Sequence, residues 1–383
     1  MIPFNKSYVG GCELEFIRDA IESNTLSGDG AYTKRCNSWL SKELGSQFPL
    51  LTQSATAALE MAALLADLNP GDEVIMPSYT FVSTANAIVL RGAVPVFVDI
   101  RPDTLNINEK LISGAISERT RLILPVHYAG VACEMDEILR IARIHKLLVL
   151  EDAAQGIMSS YKGRALGSIG DMGAISFHAT KNISCGEGGA FLTSNPEIAE
   201  RAEIVREKGT NRSKFFRGEV DKYNWVSTGS SYLPSELNAA YLAAQLDVAR
   251  EVTKRRLEMW ERYNSEFLAL ERAGVVRRPT IPPGCIHNAH IYYLILPSLA
   301  FRTKFIELMK GVDVSCTFHY VPLHSSPCGV EKGRLGSEMS VTEDFSERIV
   351  RLPIWPGLEE KQGYIIKSCH EVIQKLLSRK ENY

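Results

Sequence analysis

The amino-acid sequence predicts an α/β fold, in which a large domain has a mostly parallel mixed sheet flanked by helices and a smaller C-terminal domain is α+β. Short apolar runs alternate with helical periodicity along the first half of the chain, as expected for a sheet covered by helices. The length of 383 residues exceeds the size at which one hydrophobic core stops growing. We therefore predict a large domain at 1–250 and a small domain at 251–383.

Strand and helix candidates alternate along the first half of the chain. Strands are predicted at 74–76, 94–100, 122–126 and 147–150, and helices at 83–90, 109–116 and 135–145. The run 147–150 is apolar at every position, which is typical of a strand buried on both faces. These alternating units favour a parallel sheet.

The pattern changes after residue 152. Two strand candidates, 172–177 and 189–193, flank a glycine-containing turn. A long helix is predicted at 235–267, and a proline-rich loop leads from it to a strand at 291–296. The boundary between the two predicted domains falls inside the long helix.

Composition argues against several classes of function. The formal net charge is -2, so no long field of one sign is available to attract nucleic acid or an anionic membrane. The chain shows neither a signal-peptide pattern nor an apolar run that could span a bilayer, so we expect a cytoplasmic protein. The 8 cysteines are scattered, and His287 with His290 lacks a third ligand at metal-site spacing. Neither a disulfide framework nor a metal site is expected.

An anion site is predicted where the first short strand meets a helix. Small residues, Ser54, Ala55 and Thr56, open that helix. The first N–H groups of a helix have no partner within it, and they lie at the positive end of the helix dipole. They can therefore bind an anion such as a phosphate. An ordinary helix N-cap at Ser54 or Thr56 explains the same residues without a ligand.

A carboxylate and a lysine follow two of the predicted strands. Asp152 ends an apolar strand, and ligands of parallel sheets gather at the carboxyl ends of strands. A carboxylate there can hold a positively charged ring nitrogen, although a helix N-cap would also place an aspartate there. Lys181 follows the next strand candidate and precedes a glycine-rich turn. Burial lowers the pKa of a lysine and gives the neutral amine that forms a Schiff base, whereas a surface loop lysine is the alternative.

Taken together, these three features resemble the fold-type-I enzymes that use pyridoxal 5'-phosphate (PLP). More narrowly, the chain resembles the DegT/DnrJ/EryC/StrS family of sugar aminotransferases. The similarity covers nearly the whole chain and includes the runs 28–30 and 319–324. It implies a fold-type-I PLP-dependent transferase fold, PLP as the cofactor, and transfer of an amino group to a nucleotide sugar.

The resemblance also implies a role for individual residues. Lys181 stands at the position of the lysine that carries PLP, and Asp152 at the position of the aspartate that pairs with its ring nitrogen. The other implied cofactor contacts are Gln155 at the ring hydroxyl, Ala55, Thr56 and Ser176 at the phosphate, and Phe81 stacked on the ring. Packing in the hydrophobic core is the alternative for Phe81.

One position departs from the family pattern. Many members have an asparagine before the long helix that reaches the phosphate of the neighbouring subunit, and Ser231 stands there in this chain. Because a serine side chain is shorter, the resemblance leaves this contact in doubt. It still implies a homodimer or a higher homo-oligomer, with Ser231 facing the cofactor of the partner.

Within the family, the runs 76–86, 127–136 and 207–213 are most similar to members that make dTDP-4-amino-4,6-dideoxy-D-galactose for enterobacterial common antigen. This implies dTDP-4-keto-6-deoxy-D-glucose and L-glutamate as substrates. Amination of a 3-keto sugar and an equatorial C-4 amine stay open, and His319, Tyr320 and His324 are candidates for the sugar site. A sugar dehydratase would carry histidine in place of Lys181, and a non-catalytic regulator would not need the intact set of residues.

Overall fold

A computed structural model describes residues 1–380, so the last three residues of the predicted small domain, 381–383, lie outside the described part. The helices are α1 Glu13–Glu22, α2 Ala31–Leu44, α3 Ala55–Leu65, α4 Val82–Val89, α5 Glu109–Ala115, α6 Met135–His145, α7 Pro196–Arg206, α8 Arg212–Phe216, α9 Glu236–Asp247, α10 Ala249–Glu266, α11 Leu268–Arg272, α12 Leu299–Gly311, α13 Pro327–Lys332, α14 Ser340–Arg348 and α15 Glu359–Lys380. Within residues 1–380, no helix is both long enough and apolar enough to cross a membrane.

The strands form one large sheet and two small ones. They are β1 Leu50–Thr52, β2 Glu73–Pro77, β3 Val94–Val98, β4 Thr120–Ile123, β5 Leu148–Asp152, β6 Ser160–Tyr161, β7 Arg164–Ala165, β8 Met172–Ser176, β9 Gly189–Leu192, β10 Cys285–Ile286, β11 Tyr292–Ile295, β12 Arg334–Leu335 and β13 Ile349–Leu352. The large sheet has the order β1-β9-β8-β5-β4-β2-β3-β12. The pairs from β12 to β8 are parallel, whereas β9 pairs antiparallel with both β8 and β1. The predicted mostly parallel mixed sheet flanked by helices is confirmed.

Alternating side chains of the sheet bury two separate cores. On β2, Ile75 enters one core, whereas Val74 and Met76 enter the other. The first core also contains side chains of α6 and α9, and the second contains side chains of α3. Because both faces of the sheet are covered, most side chains of the central strands are buried and apolar on both faces, as the all-apolar run 147–150 predicted.

The predicted long helix is two helices that meet at Val248. Its backbone (φ -105°, ψ 7°) is not helical, so α9 ends and α10 begins there. Side chains of α9 belong to the core beneath the large sheet, whereas Met259, Trp260 and Tyr263 of α10 belong to a C-terminal core with β11 and β13. The domain boundary near residue 250 stays our proposal.

Two further differences concern the sheet. The strand predicted at 122–126 ends at Ile123, because Pro125 has no N–H to continue the ladder. The edge strand β12 was not predicted, and it pairs with β3 although more than two hundred residues separate them. Arg334 of β12 binds both carboxylate oxygens of the buried Glu73, at 2.9 and 2.6 Å. This contact lowers the pKa of Glu73 to about 2 and fixes the edge of the sheet.

Candidate active site

A cavity of about 740 Å³ opens at the carboxyl ends of β5 and β8, beside the start of α3. Ligands of open α/β sheets bind at this edge, where strand order changes. Seven of the predicted site residues line this one cavity: Ala55, Thr56, Phe81, Asp152, Gln155, Ser176 and Lys181. The sequence-based set, scattered over more than a hundred residues of chain, is therefore brought together by the fold.

Asp152 presents a buried carboxylate to the cavity. It is 5% exposed, accepts a hydrogen bond from the Thr84 hydroxyl at 2.8 Å, and accepts another from the backbone N–H of Ala154 at 3.1 Å. Within the described residues, no lysine, arginine or histidine forms an ion pair with it. A buried charge is costly without a partner of opposite sign. The Asp152 carboxylate is therefore suited to a cationic group of a ligand.

Lys181 follows β8 by five residues and lines the same cavity. Burial of its amine lowers the pKa of Lys181 to about 8, the negative charge of Asp152 opposes this change, and the positive charge of Arg351 adds to it. The uncharged fraction of the amine near neutral pH is therefore larger than that of an exposed lysine. A neutral amine is the form that attacks a carbonyl group.

The start of α3 forms a cradle of backbone N–H groups. Ser54 is the N-cap, and its hydroxyl accepts a hydrogen bond from Ala57 N–H at 3.1 Å. Ala55 and Thr56, the first two residues of the helix, line the cavity, and the Thr56 hydroxyl lies 2.8 Å from the Ser83 hydroxyl. Gly189 of β9 allows this approach, because a Cβ there would overlap the Ser54 and Ala55 backbone. Such a cradle suits a phosphate group.

Gln155 and Phe81 also line the cavity. The side-chain oxygen of Gln155 accepts from Ala129 N–H at 2.7 Å, and its amide donates to the Tyr320 hydroxyl at 2.9 Å. Phe81 is 56% exposed, which argues against core packing, and its ring centroid is 6.3 Å from that of Tyr320. Stacking of Phe81 on a cofactor ring stays a prediction.

Ser231 and His324 do not line this cavity. Ser231 is exposed, and its backbone forms a bridge with Glu207. The His324 ring instead contacts the buried Ser78 hydroxyl at 2.7 Å and Glu343 at 3.4 Å. His319 and Tyr320, the other two candidates for a sugar site, do line the cavity.

Sequence reasoning missed two residues that belong to this site. Thr84 orients Asp152, and its own hydroxyl lies 2.8 Å from that of Thr80, which precedes helix α4. Because Thr84 donates its proton to Asp152, Thr80 must donate to Thr84. Arg351 also lines the cavity. The sequence signal that could have indicated Arg351 is its charge, because the other residues of strand β13, Ile349–Leu352, are apolar.

These residues together fit PLP. The α3 cradle with Ser176 offers partners for a phosphate, Asp152 is a buried carboxylate that needs a cationic partner, and Lys181 is an amine with a lowered pKa. A pyridinium phosphate that carries an aldehyde matches all three chemical requirements.

Comparison with known proteins identifies the protein family. Residues 9–370 match the model of the DegT/DnrJ/EryC1/StrS aminotransferase family. The chain is 38% identical over 370 residues to the uncharacterized protein MJ1066 of Methanocaldococcus jannaschii, covering 94% of each chain. It is 32% identical over 382 residues to the spore coat polysaccharide biosynthesis protein SpsC of Bacillus subtilis, covering 97% of each. The structure of Spr1654 from Streptococcus pneumoniae in its PMP form is similar with a TM-score of 0.91, at 27% identity and 99% coverage of both chains.

The fold and the site thus define a PLP-dependent aminotransferase of fold type I. The chain belongs to the DegT/DnrJ/EryC1/StrS aminotransferase family, whose members transfer amino groups to sugars, and PLP is its cofactor. The family predicted from the sequence is confirmed.

Proposed function

We propose that the enzyme converts dTDP-4-keto-6-deoxy-D-glucose and L-glutamate to dTDP-4-amino-4,6-dideoxy-D-galactose and 2-oxoglutarate, in surface polysaccharide synthesis. The observation that carries aminotransfer is that Lys181 and the buried Asp152, which forms no ion pair within the described residues, line the same cavity. The sugar is proposed from the similarity of the runs 76–86, 127–136 and 207–213 to members that make this product in enterobacterial common antigen synthesis. The similarity to SpsC, which is named a spore coat polysaccharide biosynthesis protein, supports a role in polysaccharide synthesis.

In this proposal each residue has a distinct task. When bound, PLP supplies an electron sink that stabilises negative charge on the carbon that loses its proton. Asp152 holds the pyridinium nitrogen in its charged form, and Thr84 keeps the carboxylate oriented. Ala55, Thr56 and Ser176 hold the phosphate, and Gln155 contacts the ring hydroxyl. Lys181 accepts and returns a proton at its Nζ atom, because a pKa of about 8 is close to the working pH.

The stereochemistry follows from the face on which Lys181 lies. Lys181 delivers its proton to one face of C-4, so the orientation of the sugar ring determines whether nitrogen ends axial or equatorial. We propose the axial, galacto product. His319 and Tyr320 line the cavity and are the proposed contacts of the sugar. The His319 ring is stacked on Tyr320 with centroids 3.7 Å apart, and its Nδ1 lies 2.6 Å from the Tyr128 hydroxyl.

The substrate is tested by parallel incubation of the enzyme and L-glutamate with the 4-keto and the 3-keto sugar nucleotide. We expect dTDP-4-amino-4,6-dideoxygalactose from the first and little product from the second, as read by mass spectrometry and by proton couplings in NMR. A preference for the 3-keto sugar would overturn the assignment. An equatorial C-4 amine would overturn only its stereochemical half. Omission of glutamate, or its replacement by other amino acids, tests the donor.

We also propose that the active enzyme is a homodimer or a higher homo-oligomer. Trp225 is 81% exposed and Phe216 is 68% exposed in the segment that precedes Ser231. Large apolar side chains are seldom left in water unless another surface covers them. Sedimentation equilibrium is expected to give at least twice the chain mass of 42.5 kDa for the active protein. An active species with the mass of one chain contradicts this part of the proposal.

A further inference from the structure

The first residues of the chain run from the C-terminal core to the core beneath the large sheet. Ile2 packs against the C-terminal core, and its N–H donates to the Asp313 carbonyl at 2.6 Å. Tyr8 packs against the core that contains side chains of α6 and α9, and its carbonyl accepts from the Gln245 side chain at 3.0 Å. Residues 2–8, which we call the strap, therefore connect the two parts of the protein.

The middle of the strap borders the active-site cavity, where Phe4 and Asn5 are lining residues. The residues beside them are anchored to the C-terminal core through Trp355. The indole N–H of Trp355 donates to the Pro3 carbonyl at 3.1 Å, and the Lys6 amine lies 5.8 Å from the centroid of the Trp355 ring. The strap is therefore held to the C-terminal core on both sides of Asn5.

Two polar side chains of the strap bind the loop that carries Lys181. The side-chain amide of Asn5 and the hydroxyl of Ser7 both donate to the Ala179 carbonyl, at 3.3 and 2.9 Å. A carbonyl oxygen has two lone pairs, so these two donors can occupy both of them. The peptide two residues before Lys181 is therefore bound to the strap twice.

The Ala179 carbonyl is part of a β-turn that leads directly to Lys181. The Lys181 N–H donates to the His178 carbonyl at 2.8 Å, which closes a turn over residues 178–181. The Ala179 N–H donates to the Gly186 carbonyl at 2.8 Å, which holds the turn to the large domain. The Ala179 carbonyl belongs to the central peptide of the turn, so the strap holds the same turn from the side of the C-terminal core.

We propose that Asn5 and Ser7 are positioning residues, which hold the Lys181 turn in place for proton transfer and couple it to the C-terminal core. The inference rests on the proposed role of Lys181 in moving the proton. A lysine side chain is long and flexible, so the fold can fix its amine only if the backbone that carries it is fixed. Proton transfer needs the two heavy atoms within about 2.6–3.2 Å, and a misplacement of about 1 Å can cost about 100-fold in rate.

The kinetic test compares wild type with the double variant Asn5→Ala/Ser7→Ala in the half-reaction with L-glutamate, followed by the absorbance of the bound cofactor. We expect the rate at saturating glutamate to fall about tenfold or more, because the Lys181 amine is less well placed. The glutamate concentration that gives half of this rate should change by less than about threefold. An unchanged saturating rate, or a change confined to the half-saturating concentration, overturns the proposal.

A readout independent of turnover is amide hydrogen exchange, measured by mass spectrometry on peptides that contain residues 178–182 of the PLP-loaded protein. We expect exchange in the double variant to be about tenfold faster than in wild type, because the turn loses both hydrogen bonds to the strap. Unchanged exchange means that the strap does not hold the turn. Faster exchange together with a wild-type saturating rate means that the strap does not position the Lys181 amine. Either result overturns the proposal.

Two variants serve as controls. Lys6→Ala alters the strap between the two donors, where the side chain contacts Trp355 and not the turn, so both readouts should match wild type. A loss in Lys6→Ala as large as that in the double variant overturns the assignment to Asn5 and Ser7. Asn5→Ala/Ser7→Thr restores one hydroxyl donor, so its rate and exchange should lie between those of wild type and the double variant.

Failure of this inference is distinguishable from failure of the proposed function. If reduction of the imine places PLP on a lysine other than Lys181, the proposed role of Lys181 is wrong. The hydrogen-exchange comparison still tests whether the strap holds the turn, because it does not depend on which lysine carries the cofactor.

Discussion

Replacement of Lys181 by alanine is expected to remove the visible absorbance of the covalently held cofactor and to abolish turnover. Lys181 is the amine of the cavity whose pKa falls to about 8 through burial, so it is suited both to hold the cofactor and to move a proton. Loss of a positioned proton carrier alone costs about 100- to 10,000-fold in rate. Absorbance spectra and turnover with L-glutamate measure the two effects on the same preparation.

One further variant and one rescue experiment control this result. Lys181→Arg keeps a long cationic side chain, but its guanidinium stays protonated and cannot form an imine, so it should fail as alanine does. Added methylamine should restore part of the proton transfer in Lys181→Ala, because a small amine can occupy the vacated space. Full turnover by Lys181→Ala without added amine means that another residue performs the chemistry.

Replacement of Asp152 by asparagine is expected to slow the half-reaction with glutamate by about 100-fold or more while PLP still binds. The change removes the charge that, in our proposal, keeps the ring nitrogen protonated. A charge-assisted hydrogen bond contributes about 1.5–3 kcal/mol, with more where charge develops. The local hydrogen bonds survive, because the Thr84 and Thr80 hydroxyls can reverse their donor direction toward an amide. Single-turnover kinetics and a PLP titration measure the two quantities.

The control for this change is Asp171→Asn. The Asp171 carboxylate accepts a hydrogen bond from Val149 N–H at 2.8 Å, so it lies at the amino ends of β5 and β8, whereas the cavity lies at their carboxyl ends. The Asp171→Asn variant should react with glutamate at the wild-type single-turnover rate. If Asp152→Asn also keeps the wild-type single-turnover rate, a different group holds the ring nitrogen, and the assignment of Asp152 is wrong.

Most of the fold could be predicted because its elements have local patterns. The helix predicted at 135–145 matches α6 at both ends, and the all-apolar run at 147–150 became the buried strand β5. The break at Val248 could not be predicted, because no glycine or proline marks it and packing of α9 and α10 on different cores decides it. The pairing of β12 with β3 depends on contacts far apart in sequence, which leave no local pattern.

The candidate site was predictable to a different degree for each residue. Lys181 and Asp152 follow strands of a parallel sheet, and the carboxyl ends of such strands meet at one edge. Arg351 was missed because it comes from a short strand of the C-terminal part that only the fold carries to this cavity. The position of Ser231 relative to a partner depends on assembly, which a single chain does not determine.

The most direct test of the account is chemical reduction of the holoenzyme followed by peptide mass mapping. Borohydride fixes an imine as a stable amine, so the modified peptide identifies the lysine that carries PLP. We expect one phosphopyridoxyl group per chain, on Lys181, and no labelling of the Lys181→Ala variant. Label on another lysine, or none on wild type with PLP bound, would contradict the assignment of this cavity as the aminotransferase site.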